Sequence, residues 1–470
     1  MRRLRVPAPL AFDAVRTELG IPGSFPDEVL AEAERVVADP RRADPPPVDA
    51  TDIPLVTVDP PGSRDLDQAV HLAERGHGYR VSYAIADVAA FIAPGGALDA
   101  ETRRRGQTLY SPDVRTPLHP PAVGEGEASL LPDQVRRAVL WTVDLDADGE
   151  VSSVDVRRAV VRSRAQLDYP GLQAAVDAGS ASEPVALLPR VGDLRQRLAR
   201  ARHATELDVP EQEVVAAEGG GWTVTFRRQL PVEGWNAEIS LLIGMCAARL
   251  MLDAGVGLLR TLPPPESRAV AALRRVAPAL DVDWPDGAPP GDVISALDGS
   301  SPRHAAFLEH AATLLRGAGY AAFDGRPPQQ PLHSAVGAPY AHVTAPIRRL
   351  ADRVATEVCL AVAAGVQPPE EARGALPDMP ELMAASDSRA HALERAVVDA
   401  TEAWLLSGRE GQVFDAVVVD GGPEKGTVVL EEPAVRARCA APDLPVGERV
   451  RVRLEKADVA ARTVRFVRAG

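Results

Sequence analysis

The spacing of apolar positions switches between helical and strand periods along the chain. Phe12 to Leu19 and Phe25 to Val37 (FPDEVLAEAERVV) carry apolar residues at helical spacing, with Pro26 and Asp27 as a start signal. Pro40 to Asp52 (PRRADPPPVDATD) is Pro-rich and predicts a linker. From 53 to 165 the pattern is mostly strands. Ile53 to Val58 (IPLVTV) reads as a short buried strand, and Tyr79 to Ala86 (YRVSYAIA) alternates and then becomes fully apolar. Ala138 to Leu145 and Glu150 to Val161 bracket Asp148-Gly149, a hairpin turn.

From 166 to 325 helical spacing dominates. Glu238 to Asp253 (EISLLIGMCAARLMLD) is apolar nearly all round and predicts a buried helix, with Glu238 at its start, where the helix dipole favours a negative charge. Pro263 to Pro265, Pro285 to Pro290 and Pro327 to Pro331 predict surface loops, and Arg389 to Leu406 an amphipathic helix. Gln412 to Arg468 then shows five short alternating runs separated by Gly turns, the pattern of an OB-type barrel. The fold class is α+β: a helical module at 1–48, either a small helix-turn-helix-like unit that binds nucleic acid or a simple packing element, a body of mixed sheet and helices at 49–405, and a barrel at 406–470.

Composition adds limits. The chain has 470 residues, 46% of them hydrophobic and 25% charged, as in an ordinary soluble protein of more than one domain. Cys246, Cys359 and Cys439 form no C-x-x-C pair, so a zinc site and a disulfide framework are unsupported and a reduced, cytoplasmic setting is expected. The basic N-terminus lacks a signal-peptide core, and no apolar run reaches membrane-spanning length. The net charge of −14 argues against nucleic acid at face value. Nearly all the positive charge is Arg, however, clustered at 103–105, 157–164, 190–202 and 348–349; Lys425 and Lys456 are the only lysines. An acidic protein can still hold a basic channel.

Two stretches carry candidate chemistry. Thr57 to Ala69 (TVDPPGSRDLDQA) holds Asp59, Asp65 and Asp67 within nine residues. Asp59 ends the Ile53–Val58 strand, and Pro60-Pro61-Gly62 forces a turn. In an extended segment Asp65 and Asp67 point to one side. Three converging carboxylates repel each other unless something positive lies between them, and a hard divalent cation, magnesium or manganese, meets that need. A solvated acidic turn is the competing reading; the buried strand before the acids and Arg64 among them weigh against it. In Tyr340 to Arg353 (YAHVTAPIRRLADR), Pro346 suits the first turn of a helix, which would place Arg348 and Arg349 beside a helix N-terminus, a phosphate site, with Thr344 as a further donor. His342 reads as a hydrogen-bonded spacer rather than a base.

These stretches, with YAIADVAAFI (83–92), ALDAETRRRGQTLYSP (97–112) and SLLP (129–132), resemble in order the signature of the ribonuclease II and ribonuclease R family of exoribonucleases over roughly residues 50–365. The resemblance implies a 3′→5′ exonuclease that hydrolyses single-stranded RNA to nucleoside 5′-monophosphates with magnesium. It implies metal ligands at Asp59, Asp65 and Asp67, with Gln68 where the family has a fourth Asp, so that one negative charge is missing. It implies that Arg348 faces the scissile phosphate, that Tyr110 and Tyr169 stack the last bases, and that Glu238 contacts the terminal nucleotide. Leu207 stands where relatives tend to have Phe, so one stacking platform is lost. The C-terminal barrel lies where the family has an RNA-binding barrel, and the N-terminal helices replace the family's cold-shock-like barrels.

The expectation is therefore a monomeric, cytoplasmic exoribonuclease that takes single-stranded RNA and needs no membrane or protein partner. Gln68 and the missing Phe keep open a catalytically silent member that binds RNA. A magnesium-dependent phosphohydrolase of small nucleotides is a third reading, and it would have no use for residues 408–470.

Overall fold

The computed structural model describes residues 10–40, 47–205, 207, 210–299 and 301–469. The basic first nine residues, residues 41–46 of the Pro-rich linker and parts of 204–211 lie outside them.

Helices α1 (Asp13–Glu18) and α2 (Asp27–Ala38) open the described chain. A five-stranded sheet follows, built from β1 (Val48–Asp49), β3 (Gln68–Arg75), β4 (Gly78–Ala86), β7 (Val135–Leu145) and β8 (Val151–Arg162), in the order β1-β8-β7-β4-β3. All pairs are antiparallel except β1 with β8. The expected Asp-Gly hairpin joins β7 to β8, with Gly149 at φ 87°, a backbone that glycine adopts without strain. The 79–86 segment loses its alternation because both faces of the sheet are covered. Val81, Tyr83, Ile85, Val139, Trp141 and Val143 enter one core; Ala84, Ala86, Ala138, Leu140 and Val161 enter the other.

Shorter elements frame the sheet's edge: β2 (Thr57–Asp59), α3 (Ala97–Arg105), β5 (Leu109–Tyr110), β6 (Arg115–Thr116) and β9 (Gln166–Asp168). The strand read at Ile53–Val58 is regular only at Thr57–Asp59, because Pro54 cannot donate to a ladder. On the first core lie α4 (Tyr169–Asp177), α5 (Leu188–Ala201) and α6 (Pro231–Ala254), with the hairpin β10 (Glu211–Ala216) and β11 (Trp222–Arg227) between the last two. Helix α6 begins seven residues before Glu238: Glu233 Oε2 accepts from the Leu230 amide at 2.6 Å at its start, and Gly255 at φ 74° ends it. Glu238 is thus an interior residue of the helix.

Strands β12 (Val256–Thr261) and β13 (Gly319–Asp324) flank a helical cluster of α7 (Ser267–Val276), α8 (Pro290–Ser295) and α9 (Pro302–Ala311). After the short pair β14 (Leu332–His333) and β15 (Ala338–Pro339) come α10 (Leu350–Ala363), α11 (Glu370–Ala375) and α12 (Met379–Leu406). Five strands close the C-terminal barrel, β16 (Val413–Gly421), β17 (Gly426–Leu430), β18 (Val435–Ala440), β19 (Arg449–Asp458) and β20 (Thr463–Arg468), in the order β16-β17-β18-β20-β19. Phe466 is buried in the barrel and Phe414 packs edge-on to it at 5.9 Å, so these rings build the barrel's core. No helix among the described residues is long and apolar enough to cross a membrane.

The N-terminal helices do not form a helix-turn-helix. Phe12 and Val15 join a core with Leu109, Leu393 and Val397, whereas Val29 and Ala33 join the second core of the sheet. Each helix spends its apolar face on the body, leaving none to bind the other.

Candidate active site

Backbone register brings the acidic stretch to one end of the sheet. Strand β2 runs parallel to β9 with Asp59 level with Asp168. Asp168 caps α4 by accepting from the Gly171 amide at 2.7 Å, so Tyr169 opens that helix directly beside Asp59. The chain turns at Pro60–Gly62, with Gly62 at φ 81°. Ser129, from the SLLP segment, then pins the loop: its hydroxyl donates to the Arg64 carbonyl at 2.6 Å and accepts from the Leu66 amide at 3.0 Å. Asp67 follows with no exposure.

Asp67 reaches a segment far away in sequence. Its Oδ1 accepts from the Ile347 amide at 2.7 Å and its Oδ2 from Arg348 Nε at 2.6 Å. Asp352, also fully buried, mirrors it from the other side: it accepts from the Ala345 amide at 2.7 Å and holds Arg349 through two hydrogen bonds at 2.8 and 2.9 Å. Residues 346–348 form a turn, and α10 begins at Leu350. The expected helix N-terminus at Pro346 is absent because these two carboxylates take the amides that would otherwise face a phosphate. Arg348 points to the acidic pocket. Arg349 points away from it, to Asp352 and the cluster of Tyr320 and Tyr340.

Burial pushes the Asp59 carboxyl up to about 6, with Asp65 adding to the rise and Arg348 opposing it. Burial likewise pushes Asp67 up to about 7, against Arg348 and the Ile347 amide. Burial disfavours the Arg348 charge, but Asp67, Tyr110 and Asp59 outweigh it and hold the guanidinium charged.

Convergence of Asp59, Asp65, Asp67 and Gln68 on one cation is not what the structure displays. Among the described residues no three Asp, Glu, His or Cys side chains form a group that could hold a metal ion. Positive charge does lie between the acids, as their repulsion requires, but arginines supply it. Arg348 takes Asp67, and Arg115 bridges Asp65 and Glu125. Gln68 accepts from the Tyr83 hydroxyl on the neighbouring strand. Asp59 accepts no side-chain hydrogen bond from the described residues. As donors the four oxygens suit a hard divalent cation; three of them are engaged within the protein.

The remaining candidates divide. Tyr110 is half-exposed and its hydroxyl meets Arg348. The Tyr169 hydroxyl accepts from Asn236 Nδ2 at 3.3 Å. Thr344 is buried and its Oγ1 accepts from Ser240 at 3.0 Å; Ser240 in turn meets the Tyr83 hydroxyl, which continues the chain to Gln68. Asn236 and Ser240, four residues apart, define the face of α6 turned to the site. Glu238 lies between them in sequence, hence on the opposite face, where Arg195 of α5 is its neighbour. It is not brought to the acidic pocket. Leu207 packs with the helical cluster around Leu273. Sequence reasoning missed Arg115, Glu125, Tyr83 and Ser240. Arg115 was within reach: it lies five residues past Tyr110, and the register of β5 with β6 sets the two opposite each other.

Residues 48–363 match the RNB domain family, and residues 412–469 match the RNase II-type exonuclease C-terminal S1 domain. Ribonuclease R of Escherichia coli (strain K12) is 29% identical over 326 residues, 65% of this chain and 39% of that protein. Ribonuclease R of Acidithiobacillus ferrooxidans is 32% identical over 191 residues, 39% of this chain and 43% of its own length. The chain thus spans about two fifths of the length of these relatives. In fold it is similar to Mycoplasma genitalium RNase R in complex with ribose-methylated single-stranded RNA, with a TM-score of 0.86 at 18% identity, over 97% of this chain and 77% of that one. It is also similar to yeast Ssd1, a pseudonuclease, with a TM-score of 0.70 at 16% identity, over 90% of this chain and 53% of that one. With the RNB match covering more than half of its length, this chain belongs to the RNB family of ribonuclease II and ribonuclease R exoribonucleases.

Proposed function

We propose that this chain is a metal-dependent 3′→5′ exoribonuclease that releases nucleoside 5′-monophosphates from single-stranded RNA. The observation that carries this reading is the contact of Arg348 with the buried Asp67, set beside Asp59 and between Tyr110 and Tyr169.

The chemistry is attack of water on the last internucleotide phosphorus and departure of the 3′ oxygen. Arg348, fixed by Asp67, supplies positive charge where the phosphoryl oxygens gain negative charge. Because the anchor is preformed, the guanidinium does not have to reorganise during reaction. Tyr110 and Tyr169 offer rings to the last bases; stacking of this kind is worth about 1–3 kcal/mol per base and ignores sequence. Thr344 and Arg349 support the segment that carries Arg348. Magnesium, or manganese, would be held by Asp59, Asp65 and the Gln68 amide oxygen, and when bound it lowers the pKa of the attacking water and stabilises the leaving oxygen. Arg115 holds Asp65 Oδ1, and its positive charge opposes an incoming cation. A free chain end suits a site this buried, which favours cleavage from a terminus.

The rival reading is a silent member that binds RNA. It draws on the engagement of Asp65, Asp67 and Gln68 by protein partners. One experiment separates the two: a 5′-labelled single-stranded RNA incubated with magnesium or with chelator, with Asp59→Asn as control. A ladder that shortens from the 3′ end, needs the metal and disappears in the variant is the expected result. RNA that stays intact but bound would establish the silent reading.

A further inference from the structure

Strands β5 and β6 are two residues each, too short to hold a fixed shape alone. Yet this ribbon carries two groups aimed at the acidic pocket, Tyr110 and, directly opposite, Arg115. The ribbon's root is tied to the catalytic segment itself: the Thr108 amide donates to the Arg348 carbonyl at 2.9 Å. The ribbon's tip, residues 111–114, closes on itself through the Ser111 amide and hydroxyl, which donate to the Val114 carbonyl at 3.1 and 2.7 Å.

What holds the tip in place comes from the N-terminal segment. Arg16 of α1 donates from Nη1 to Ser111 Oγ at 2.9 Å and to Asp113 Oδ1 at 2.6 Å, and from Nη2 to Asp113 Oδ2 at 3.0 Å. Asp13, one turn earlier, takes Nη2 at 2.5 Å and fixes the guanidinium from behind. Fork-to-fork pairing of this kind restrains direction as well as distance. The Arg16 side chain is 12% exposed and that of Asp113 26%, so the contact is partly covered at the rim of the ribbon. Below the ribbon, Leu109 packs with Phe12 and Val15 of the same segment and with Leu393 and Val397 of α12. The Phe12 ring lies 5.8 Å from that of Trp222, which seats the segment on the body.

We infer that Arg16 is a positioning residue for Tyr110: the N-terminal segment is a brace that holds the tyrosine ring in register with Arg348, and so sets the grip on the RNA end. Tyr110 is 54% exposed; its hydroxyl is tied to Arg348, but the direction of the ring is set by the ribbon backbone beneath it. This gives residues 10–22 a part in substrate binding without their touching RNA. The inference rests on the proposed reading of Tyr110 as a base-stacking residue.

The test measures binding of a 5′-labelled single-stranded RNA in chelator, so that no turnover is needed, for wild type, Arg16→Ala, Arg16→Lys, Tyr110→Ala and the Arg16→Ala/Tyr110→Ala double variant. Tyr110→Ala should weaken binding about fivefold or more. Arg16→Ala should reproduce most of that loss, Arg16→Lys should recover part of it, and the double variant should bind no more weakly than Tyr110→Ala. Hydrogen exchange across 109–116 should rise in Arg16→Ala while the sheet stays protected. Wild-type affinity in Arg16→Ala, where Tyr110→Ala is impaired, would overturn the brace, as would losses that add in the double variant. Unchanged binding in Tyr110→Ala would instead overturn the reading of Tyr110 and the brace with it. Should Arg16→Ala fail to melt cooperatively, Asp113→Asn, which weakens the same contact from the ribbon side, takes its place in every comparison.

Discussion

Asp67 and Arg348 are 281 positions apart in sequence and 2.6 Å apart in space, and the carboxylate that makes this contact is fully buried. Its other oxygen takes the Ile347 amide. One side chain therefore fixes both the backbone and the guanidinium of the segment that carries the candidate phosphate ligand. Asn cannot replace it, because its amide would turn an N–H toward one of the two donors. Asp67→Asn should lower turnover on the order of 10²-fold, the scale of losing one oriented donor to a developing anion. RNA affinity in chelator should change little. Arg348→Lys should fall as far, because an ammonium cannot copy the fork. Single-turnover cleavage together with chelator binding checks both; equal loss of cleavage and binding would make Asp67 a folding residue.

The acidic pocket carries a pH signature. Asp59 is pushed up to about 6 and Asp67 to about 7, both by burial. The raised values mean that the folded state binds these protons more tightly than the unfolded chain does. Their contribution to stability is present below about pH 4 and is lost as pH rises through about 6 to 7. Function needs the opposite state, with ionised carboxylates, so turnover should climb from pH 5 to 8 while metal-free stability drifts down. Asp59→Asn keeps the neutral form at every pH. It should melt higher than wild type at pH 8 in chelator, by at most about 3 kcal/mol of stability, and match it near pH 4. A variant that melts lower at pH 8 would show that the Asp59 carboxylate is well solvated or paired.

Arg115 and a cation compete for Asp65. With the guanidinium on Asp65 Oδ1, an incoming cation meets both a neutralised carboxylate and a neighbouring positive charge. Arg115→Ala removes the competitor and a positive charge next to the pocket, and should tighten magnesium or manganese binding severalfold by calorimetry. The same variant should bind RNA no better than wild type, since it gains no contact to the strand. Unchanged metal affinity would remove Asp65 from the ligand set.

Much of this site is readable from local pattern, and what is missed turns on which groups pair with which. Asp59, Asp67, Tyr110, Tyr169 and Arg348 lie in stretches whose turns and strand ends are visible in the sequence, and the structure gathers them at one end of the sheet. The barrel is legible because five alternating runs leave few other closures. Partner choice is not legible. Three acids demand positive charge, but nothing in TVDPPGSRDLDQA says whether a metal or Arg115 and Arg348 will supply it. The face of Glu238 depended on where α6 begins, and Glu233, the actual capping residue, moved that start seven residues upstream. Likewise Pro346 signalled a helix start, while Asp67 and Asp352 took the amides and delayed the helix to Leu350.

Gln68 offers the sharpest test of the metal. Its amide oxygen accepts from Tyr83, which Ser240 and Thr344 hold from behind. Gln68→Asp preserves an acceptor for Tyr83 and adds a negative charge beside Asp59 and Asp67. If a cation works here, the extra charge should lower the magnesium concentration for half-maximal cleavage and leave the metal-free protein less stable at pH 8, because one more carboxylate joins a crowded pocket. If the chain is a silent RNA binder, the same variant should lose stability and gain no cleavage at any magnesium concentration. Titrating magnesium against both the melting temperature and the rate of 3′ shortening therefore distinguishes a metal site tuned by Gln68 from one that Gln68 has switched off.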